Sequence, residues 1–295
     1  MEDTARVPFS RDDLDRVLAF CADHPANAYP TALRRRLVAG LTTSERGVIE
    51  LHGPQHGAVV AVVVDAIKSG QGCAVLELLG VRSGPTLPRL LERVITEAES
   101  FLRAGPRRGL EVPVRTRWSL WEPTLVRHGY ALAFTSYEMA TPRLDPGPPL
   151  SLPGPSWRWA DTTEEWIAAY HNALVTTMGP VPGSYICSLA ALREMLDAGA
   201  ARPKLLLCGA RVAGFSRVSL DDEGVGRVDL IGRHPDFQGQ GLGPLLLNRA
   251  MTGLARQGAR RFALNVVSSN EKALALYYRH GFELIERVPV YQRFS

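Results

Sequence analysis

The sequence predicts an α+β protein, a mixed α/β sandwich in two tandem domains, each with a mixed central sheet flanked by helices. Three observations carry that prediction. The chain has 295 residues, too many for one ordinary core and enough for two domains of about 140 each. A proline-rich stretch with Pro142, Pro146, Pro148, Pro149, Pro153 and Pro155 divides it near the middle. Prolines at that density sustain neither a helix nor a central strand, so the stretch reads as an extended linker. The flanking halves also repeat one another. Arg127-His128-Gly129-Tyr130-Ala131-Leu132 matches Arg279-His280-Gly281-Phe282-Glu283-Leu284, and Leu79-Gly80 falls on Ile231-Gly232, both offset by 152 residues (127 to 279). PRLLERVIT from Pro88 matches PLLLNRAMT from Pro244 at an offset of 156 (88 to 244). The four extra residues of the second copy fall in the glycine-rich run 238–243. The domains are therefore set at 1–140 and 156–295, with 141–155 as linker.

The second half reads in order as follows. Trp157 to Ala160 is a short strand. Thr162 to Val175 is a helix, with Asp161 or Thr162 as N-cap and Glu164-Glu165 in its first turn. Ser188 to Ala198 is a second helix. Leu205 to Cys208 and Val212 to Leu220 form a hairpin around Gly209-Ala210-Arg211. Arg227 to Arg233 is a strand, and Gly243 to Gln257 is a helix closed by Gly258. Phe262 to Val267 is a strand, Glu271 to His280 a helix ending at Gly281, and Phe282 to Phe294 one or two final strands. In the first half, the apolar run Ala58 to Val64 reads as a buried strand, far short of the ~20 residues of a membrane span.

Composition narrows the function. An apolar content of 45% with 22% charged residues is that of a globular protein. The net charge of +4 suits an acidic small ligand and is far below the density of a nucleic-acid binder. Clusters such as Arg34-Arg35-Arg36 and Arg107-Arg108 read as solvated faces and turns. Cys21, Cys73, Cys187 and Cys208 form no CxxC pair and have no histidine at metal-ligand spacing, so no metal is expected. The polar, acidic N-terminus is no signal peptide. The expectation is a cytoplasmic protein with no membrane or nucleic-acid partner, as a monomer or homodimer.

The chemistry concentrates where strand Arg227–Arg233 runs through His234-Pro235-Asp236-Phe237 into Gln238-Gly239-Gln240-Gly241-Leu242-Gly243 and then a helix. Glycines let backbone N–H groups face one concavity, and the helix adds its unpaired amides and positive dipole end. Such a loop suits a phosphate. It is neither GxxxxGK[ST] nor GxGxxG, and no acidic residue follows at the ribose position, so nucleotide-triphosphate and dinucleotide readings are disfavoured.

Gln238-x-x-Gly241-x-Gly243 resembles motif A of the GNAT N-acetyltransferase superfamily, and Asn270-x-x-Ala273-x-x-Leu276-Tyr277-x-x-x-Gly281-Phe282 resembles its motif B. The resemblance covers the second half and reaches the first only through the repeat. It implies two tandem GNAT-like domains, the first degenerate and the second catalytic, with acetyl-CoA as cosubstrate. Backbone groups of Ile231, Gly232 and Arg233 are then expected along the pantetheine arm. Amides from Gln238, Gly239, Gln240, Gly241, Leu242 and Gly243 through Pro244 are expected at the pyrophosphate, and Asn270 and Ala273 on the cofactor's other side. Arg233 departs from the aliphatic residue of most relatives.

An amine acceptor with a pKa of ~10.4 is neutral in only about one molecule in 2,500 at pH 7, a penalty of ~4.6 kcal/mol, so a base is useful. The family's usual glutamate falls at the position of Arg227, so that base is missing. Asp229, on the same face by alternation, is the replacement, with a structural pairing to Arg227 or Arg217 as the alternative. Glu165 and His171 are further candidates for the acceptor pocket, and Glu223 reads as loop charge. Tyr277 is the general acid for the departing thiolate, and the Gly232 N–H is expected to meet the developing oxyanion. In the first half, Val81-Arg82-Ser83-Gly84-Pro85 replaces the phosphate loop, Trp118 the Asn270 position and Leu125 the Tyr277 position. Trp118 and Trp121 read as core. The expected activity is transfer of an acetyl group to a small-molecule amine by direct attack on the thioester. A non-catalytic acyl-CoA sensor or partner-binding module, and transfer to a protein lysine or N-terminus, remain alternatives.

Overall fold

The structure, a computed structural model, describes residues 4–8, 46–52, 58–68, 71–82, 87–103, 109–142, 146–184, 186–197, 199 and 201–294. Cys21, Arg34–Arg36, Arg107–Arg108 and the loop from Ser83 to Pro85 lie outside these residues, as does the Trp118 side chain. The chain forms two compact units. Unit 1 comprises Met1–Ala133 with Val288–Ser295, and unit 2 comprises Phe134–Arg287. The division thus falls before the proline-rich stretch, which belongs to unit 2.

In unit 1, β1 (Thr4–Pro8), β2 (Arg46–His52), β3 (Ala58–Lys68) and β4 (Gln71–Arg82) pair antiparallel in sequence. Helix α1 (Leu87–Arg103) then crosses to β5 (Gly109–Pro113), which is parallel to β4. Leu87, Leu90, Leu91, Val94, Ile95 and Ala98 recur at helical spacing and form one buried face of α1. That face packs with Leu110, Val112, Trp121, Leu125 and Tyr130, the last two from and beyond α2 (Glu122–Arg127). Trp121 is core, as expected, and Leu125 is buried beside it. The end of the chain, Val290–Phe294, pairs antiparallel with β5.

Unit 2 repeats this plan. Strands β7 (Trp157–Asp161), β8 (Lys204–Cys208), β9 (Arg211–Leu220) and β10 (Val225–Arg233) are antiparallel neighbours. Helices α3 (Glu164–Met178) and α4 (Leu189–Asp197) lie between β7 and β8. Helix α5 (Leu242–Arg256) crosses from β10 to the parallel β11 (Arg261–Val267). Helix α6 (Glu271–Arg279) follows, and β12 (Glu283–Phe294) ends the chain as one strand. The sixth strand is β6 (Ala131–Thr141), whose residues 136–141 pair antiparallel with β11. Each unit therefore completes its sheet with a strand from the other half of the sequence.

Two faces of the unit 2 sheet are covered. Helix α5 buries Leu246, Leu247, Ala250, Met251 and Leu254 with Val228, Phe262, Leu264 and Phe282. Glycines make that approach possible: a Cβ on Gly214 would lie 2.9 Å from Leu246, and one on Gly226 2.9 Å from the Ala259 Cβ. On the other face α3 and α4 bury Ile167, Tyr170, Leu174, Leu192 and Leu196 with Leu205, Leu207 and Phe215. The N-cap of α3 is Thr163, not Asp161 or Thr162. Three capping residues stand in a row here. The hydroxyl of Thr162 is taken by the Pro203 carbonyl at 2.6 Å, and Asp161 is paired with Lys204. The proline-rich stretch carries no helix or strand among its described residues. It is tied to α5 by Asn248, whose Nδ2 donates to the carbonyls of Pro146 (2.8 Å) and Pro148 (3.2 Å).

Candidate active site

The site lies in unit 2, where β10 leaves β11. The two strands pair from Val225↔Arg261 to Val228↔Leu264 and no further, although β10 continues to Arg233 and β11 to Val267. A β-bulge begins the separation: Asp229 and Leu230 together oppose Arg217, since the register steps from Val228↔Val218 to Leu230↔Arg217. The bulge shifts the alternation of everything after it. Val228 and Ile231 pack on the α5 side, and Leu230 packs with the α3–α4 cluster.

The shifted register decides which backbone groups face the gap. His234 donates its N–H to the Ala213 carbonyl on β9 at 2.9 Å. Alternation in an antiparallel pair then turns Gly232, paired with Phe215, toward β9 as well. The N–H and C=O groups of Ile231 and Arg233 point to the open edge instead. The Arg233 carbonyl there accepts only a long bond from Thr177 Oγ1, at 3.4 Å. Gly232, expected to offer its N–H at this edge, has it turned to the sheet. What its missing side chain provides is room: a Cβ there would lie 2.5 Å from the Phe215 ring.

Beyond the strand, a single 3-10 turn (Pro235–Phe237) fixes the start of the loop. Phe237 is buried, packs edge-on against Trp157 at 5.6 Å between ring centres, and lies under the Arg211 guanidinium. Arg211 is also paired with Asp236. The loop itself is open. Gly239 and Gly241 take φ of +80° and +69°, values that favour glycine, and a Cβ on either would meet nothing within 4 Å. Gln238 spends its N–H on the Pro235 carbonyl. Among the described residues, the N–H groups of Gly239, Gln240 and Gly241 have no recorded protein acceptor. Leu242 and Gly243 open α5, where N–H groups have no partner within the helix, and Pro244 has none to give. Five consecutive amides, from Gly239 to Gly243, are thus available to an anion.

Asn270 is the N-cap of α6: its Oδ1 accepts from the Ala273 N–H at 3.2 Å. Both have a local structural reason to be where they are. Tyr277, on the next turn, is 5% exposed and packs against Phe282 with 5.9 Å between ring centres. Burial pushes its phenol up to about 12. Trp121 Nε1 is the one buried side-chain polar atom without a partner among the described residues. Among the described residues the Tyr277 hydroxyl has no hydrogen-bond partner.

On the face opposite α5, Asp229 is exposed yet crowded by its neighbours. Desolvation pushes its carboxyl above the usual aspartate range, against the pull of Arg217, a hydrogen bond from Ser219 and the pull of Arg227. The Ser219 hydroxyl donates to Oδ1 at 3.1 Å. Arg227, at the position of the family's glutamate, is within 3.7 Å of Glu138. Glu138 was missed in the sequence because residues up to 140 were assigned to the first domain. His171 bonds the Cys187 carbonyl through Nε2 at 2.9 Å, Glu165 is exposed, and Glu223 sits in an Asx turn on Asp221. Among the described residues no group of side chains has the makings of a metal site, and no helix is long and apolar enough to cross a membrane.

Comparison with known proteins gives a consistent answer. Residues 156–282 match the acetyltransferase (GNAT) family. A mycothiol acetyltransferase of Catenulispora acidiphila is 28% identical over 274 residues, covering 88% of this chain and 80% of that protein. One of Geodermatophilus obscurus is 32% identical over 175 residues, about half of either chain at 53% and 54%. Among solved structures, a GCN5-related N-acetyltransferase from Sphaerobacter thermophilus superposes with a TM-score of 0.70 at 17% identity, covering 100% of this chain and 95% of that one. A tandem GNAT protein from the clavulanic acid biosynthesis pathway gives 0.73 at 15%, covering 100% and 98%. These likenesses establish a tandem GNAT fold. The strand–loop–helix at residues 227–256 lies inside the segment, residues 156–282, that matches the acetyltransferase (GNAT) family.

Proposed function

We propose that unit 2 binds acetyl-CoA and transfers its acetyl group to the amine of a small molecule. The observation that carries this reading is the run of five available amides at the head of α5, beside a strand edge left unpaired by β11. That combination suits a diphosphate followed by an extended amide-bearing arm. The amides of Gly239–Gly243 hold the diphosphate, and the open-edge groups of Ile231 and Arg233 hold the arm like an added strand. Asn270 and Ala273 border the arm's far side. A small-molecule acceptor is supported by the name of the relatives, mycothiol acetyltransferase.

The bound thioester supplies a carbonyl open to attack and a thiolate leaving group. Asp229 takes the proton from the acceptor's ammonium, and its raised affinity for protons makes it a better base than an ordinary aspartate. The amine nitrogen then bonds to the acyl carbon as the carbon–sulfur bond breaks. The open-edge N–H of Ile231 or Arg233 is the donor oriented to the carbonyl oxygen. Tyr277 presents its hydroxyl to the sulfur. With its phenol near 12 and a thiol near 8.5, full transfer is uphill by about 5 kcal/mol, so it acts by hydrogen bonding until the site is filled.

Thermal shift with acetyl-CoA and thiol release with a panel of amines test the proposal. Acetyl-CoA raises the Tm. Asp229→Asn and Tyr277→Phe keep that rise but lose on the order of 10²–10⁴ in turnover. No rise at saturating acetyl-CoA overturns the assignment. Arg227 at the usual base position favours a second reading, an acyl-CoA binder without turnover. A Tm rise with no thiol release from any amine would select it.

A further inference from the structure

Two acids share access to one guanidinium on the open face of unit 2. Arg227 is paired with Ser219 on β9, and Ser219 donates to Asp229, so Arg227 and Asp229 lie side by side. Two strands away, β6 carries Glu138. The registers Arg227↔Ala263 and Ala263↔Ala140 place Glu138 one step beyond this row, opposite Asn265. That step is also the first after β10 and β11 have parted. Strands β6 and β10 are roughly 9–10 Å apart across β11, a span an arginine covers. Ala263, between them, has only a methyl to offer as an obstacle. Arg227 takes this route: its Nη1 is 3.7 Å from Glu138 Oε1, and Glu138 is 8% exposed. Among the described residues Arg227 makes no ion pair with Asp229, although Asp229 is the nearer acid in sequence.

We propose that Glu138 is a positioning residue that draws the Arg227 side chain across β11, so that Asp229 stays available to the acceptor amine. The inference rests on the reading of Asp229 as the base. Without Glu138 the guanidinium has one carboxylate left within reach, and it closes on Asp229. A direct arginine pair lowers a carboxyl pKa by roughly 1–3 units, and it occupies the oxygen that the ammonium needs. The other charged and polar groups facing Asp229 do not replace this control. Arg217 and Ser219 come from β9, and Arg217 is shared with Tyr170 of α3 and with Cys187 ahead of α4.

The test is the pH profile of kcat/KM for acetyl transfer by the full chain, with the acetyl-CoA-induced Tm rise as a check on folding and cosubstrate binding. Glu138→Gln lowers turnover at pH 7 by roughly tenfold or more, toward the loss of a missing base. It also moves the acid limb down by about one unit or more, with the Tm rise intact. Arg227→Met in the Glu138→Gln background restores turnover and returns the limb. An unmoved limb, or a double variant no better than the single one, overturns the proposal. If Glu138→Gln fails to fold, Arg227→Met alone carries the test: it moves the limb upward, and an unmoved limb rejects the idea. Should Asp229→Asn leave turnover intact, the base reading itself falls. Should Asp229→Asn abolish turnover while Glu138→Gln leaves the limb in place, only the role of Glu138 falls.

Discussion

Replacing Gly232 by alanine adds one methyl where β10 crosses the ring of Phe215. A Cβ built there lies 2.5 Å from Cζ and 2.7 Å from Cε2 of that ring, and 3.0 Å from Thr177 Cγ2. Carbon atoms at ease keep about 3.5–4.0 Å, so the ring must retreat by about 1 Å. It has nowhere to go: Phe215 is fully buried and stands edge-on to Tyr170 at 5.3 Å, also fully buried. Overpacking of this kind costs about 1–3 kcal/mol, and the gain of about 0.4–1 kcal/mol from a stiffer unfolded chain offsets only part. At roughly 2–4 °C per kcal/mol for a unit of this size, the Tm falls by several degrees. The displaced strand edge also raises KM for acetyl-CoA. Differential scanning calorimetry and urea unfolding measure the loss, and Phe215→Leu identifies its source. In that background Gly232→Ala costs at least about 1 kcal/mol less, because the two sites couple through one contact. An unchanged Tm, or an equal cost in both backgrounds, refutes the packing argument.

Four other perturbations have definite signs. Gly241→Ala places a side chain at φ +69° in open space, so backbone strain of about 1–2 kcal/mol acts alone and the Tm rise from acetyl-CoA shrinks; Gly253→Ala, inside α5 with nothing within 4 Å, instead stabilises by about 0.5–1 kcal/mol in urea unfolding. Thr162→Val leaves the Pro203 carbonyl without its donor and costs about 1–3 kcal/mol by the same measurement. Asp229→Asn raises the Tm at neutral pH while abolishing turnover. The folded protein holds the Asp229 proton more tightly than the unfolded chain, so the ionised side chain opposes folding above the folded pKa. That penalty, and with it the advantage of asparagine, fades as the pH falls through the raised folded pKa and is gone below the ordinary aspartate value of about 3.9.

Much of unit 2 was legible because its signals are local. Apolar residues at 3–4 spacing gave α5, Gly258 and Gly281 gave helix ends, and the glycines of 239–243 gave an open loop. The repeat also appears in the structure, as a helix crossing between parallel strands in both units. What stayed hidden was long-range. Val228-Asp229-Leu230-Ile231 reads as plain strand, and nothing in it announces that Asp229 and Leu230 share one partner; the pairing with β9 decides that. The error over Gly232 followed, since one extra residue reverses which amides face the gap. Nothing in the residues of Ala131–Thr141 says which sheet takes that strand, and Glu138 was lost with that choice. Among its described residues the proline-rich stretch carries no helix or strand, and its prolines say nothing of the two bonds from Asn248 that fasten it to α5.

The crossed membership of the terminal strands sets a timetable for synthesis. Unit 1 needs Tyr291 against its core, Gln292 to bond Glu111 and Arg293 to bond Glu99. These residues leave the ribosome only after the whole of unit 2. At about 5–20 residues per second, the intervening stretch takes roughly 8–30 s to make. Throughout that interval the nascent unit 1 carries β5 with one edge unpaired, an invitation to any passing strand. Unit 2 faces no such wait, because its borrowed strand precedes it. Unit 2 can mature first, and unit 1 is sealed only once residues 288–294 have followed it.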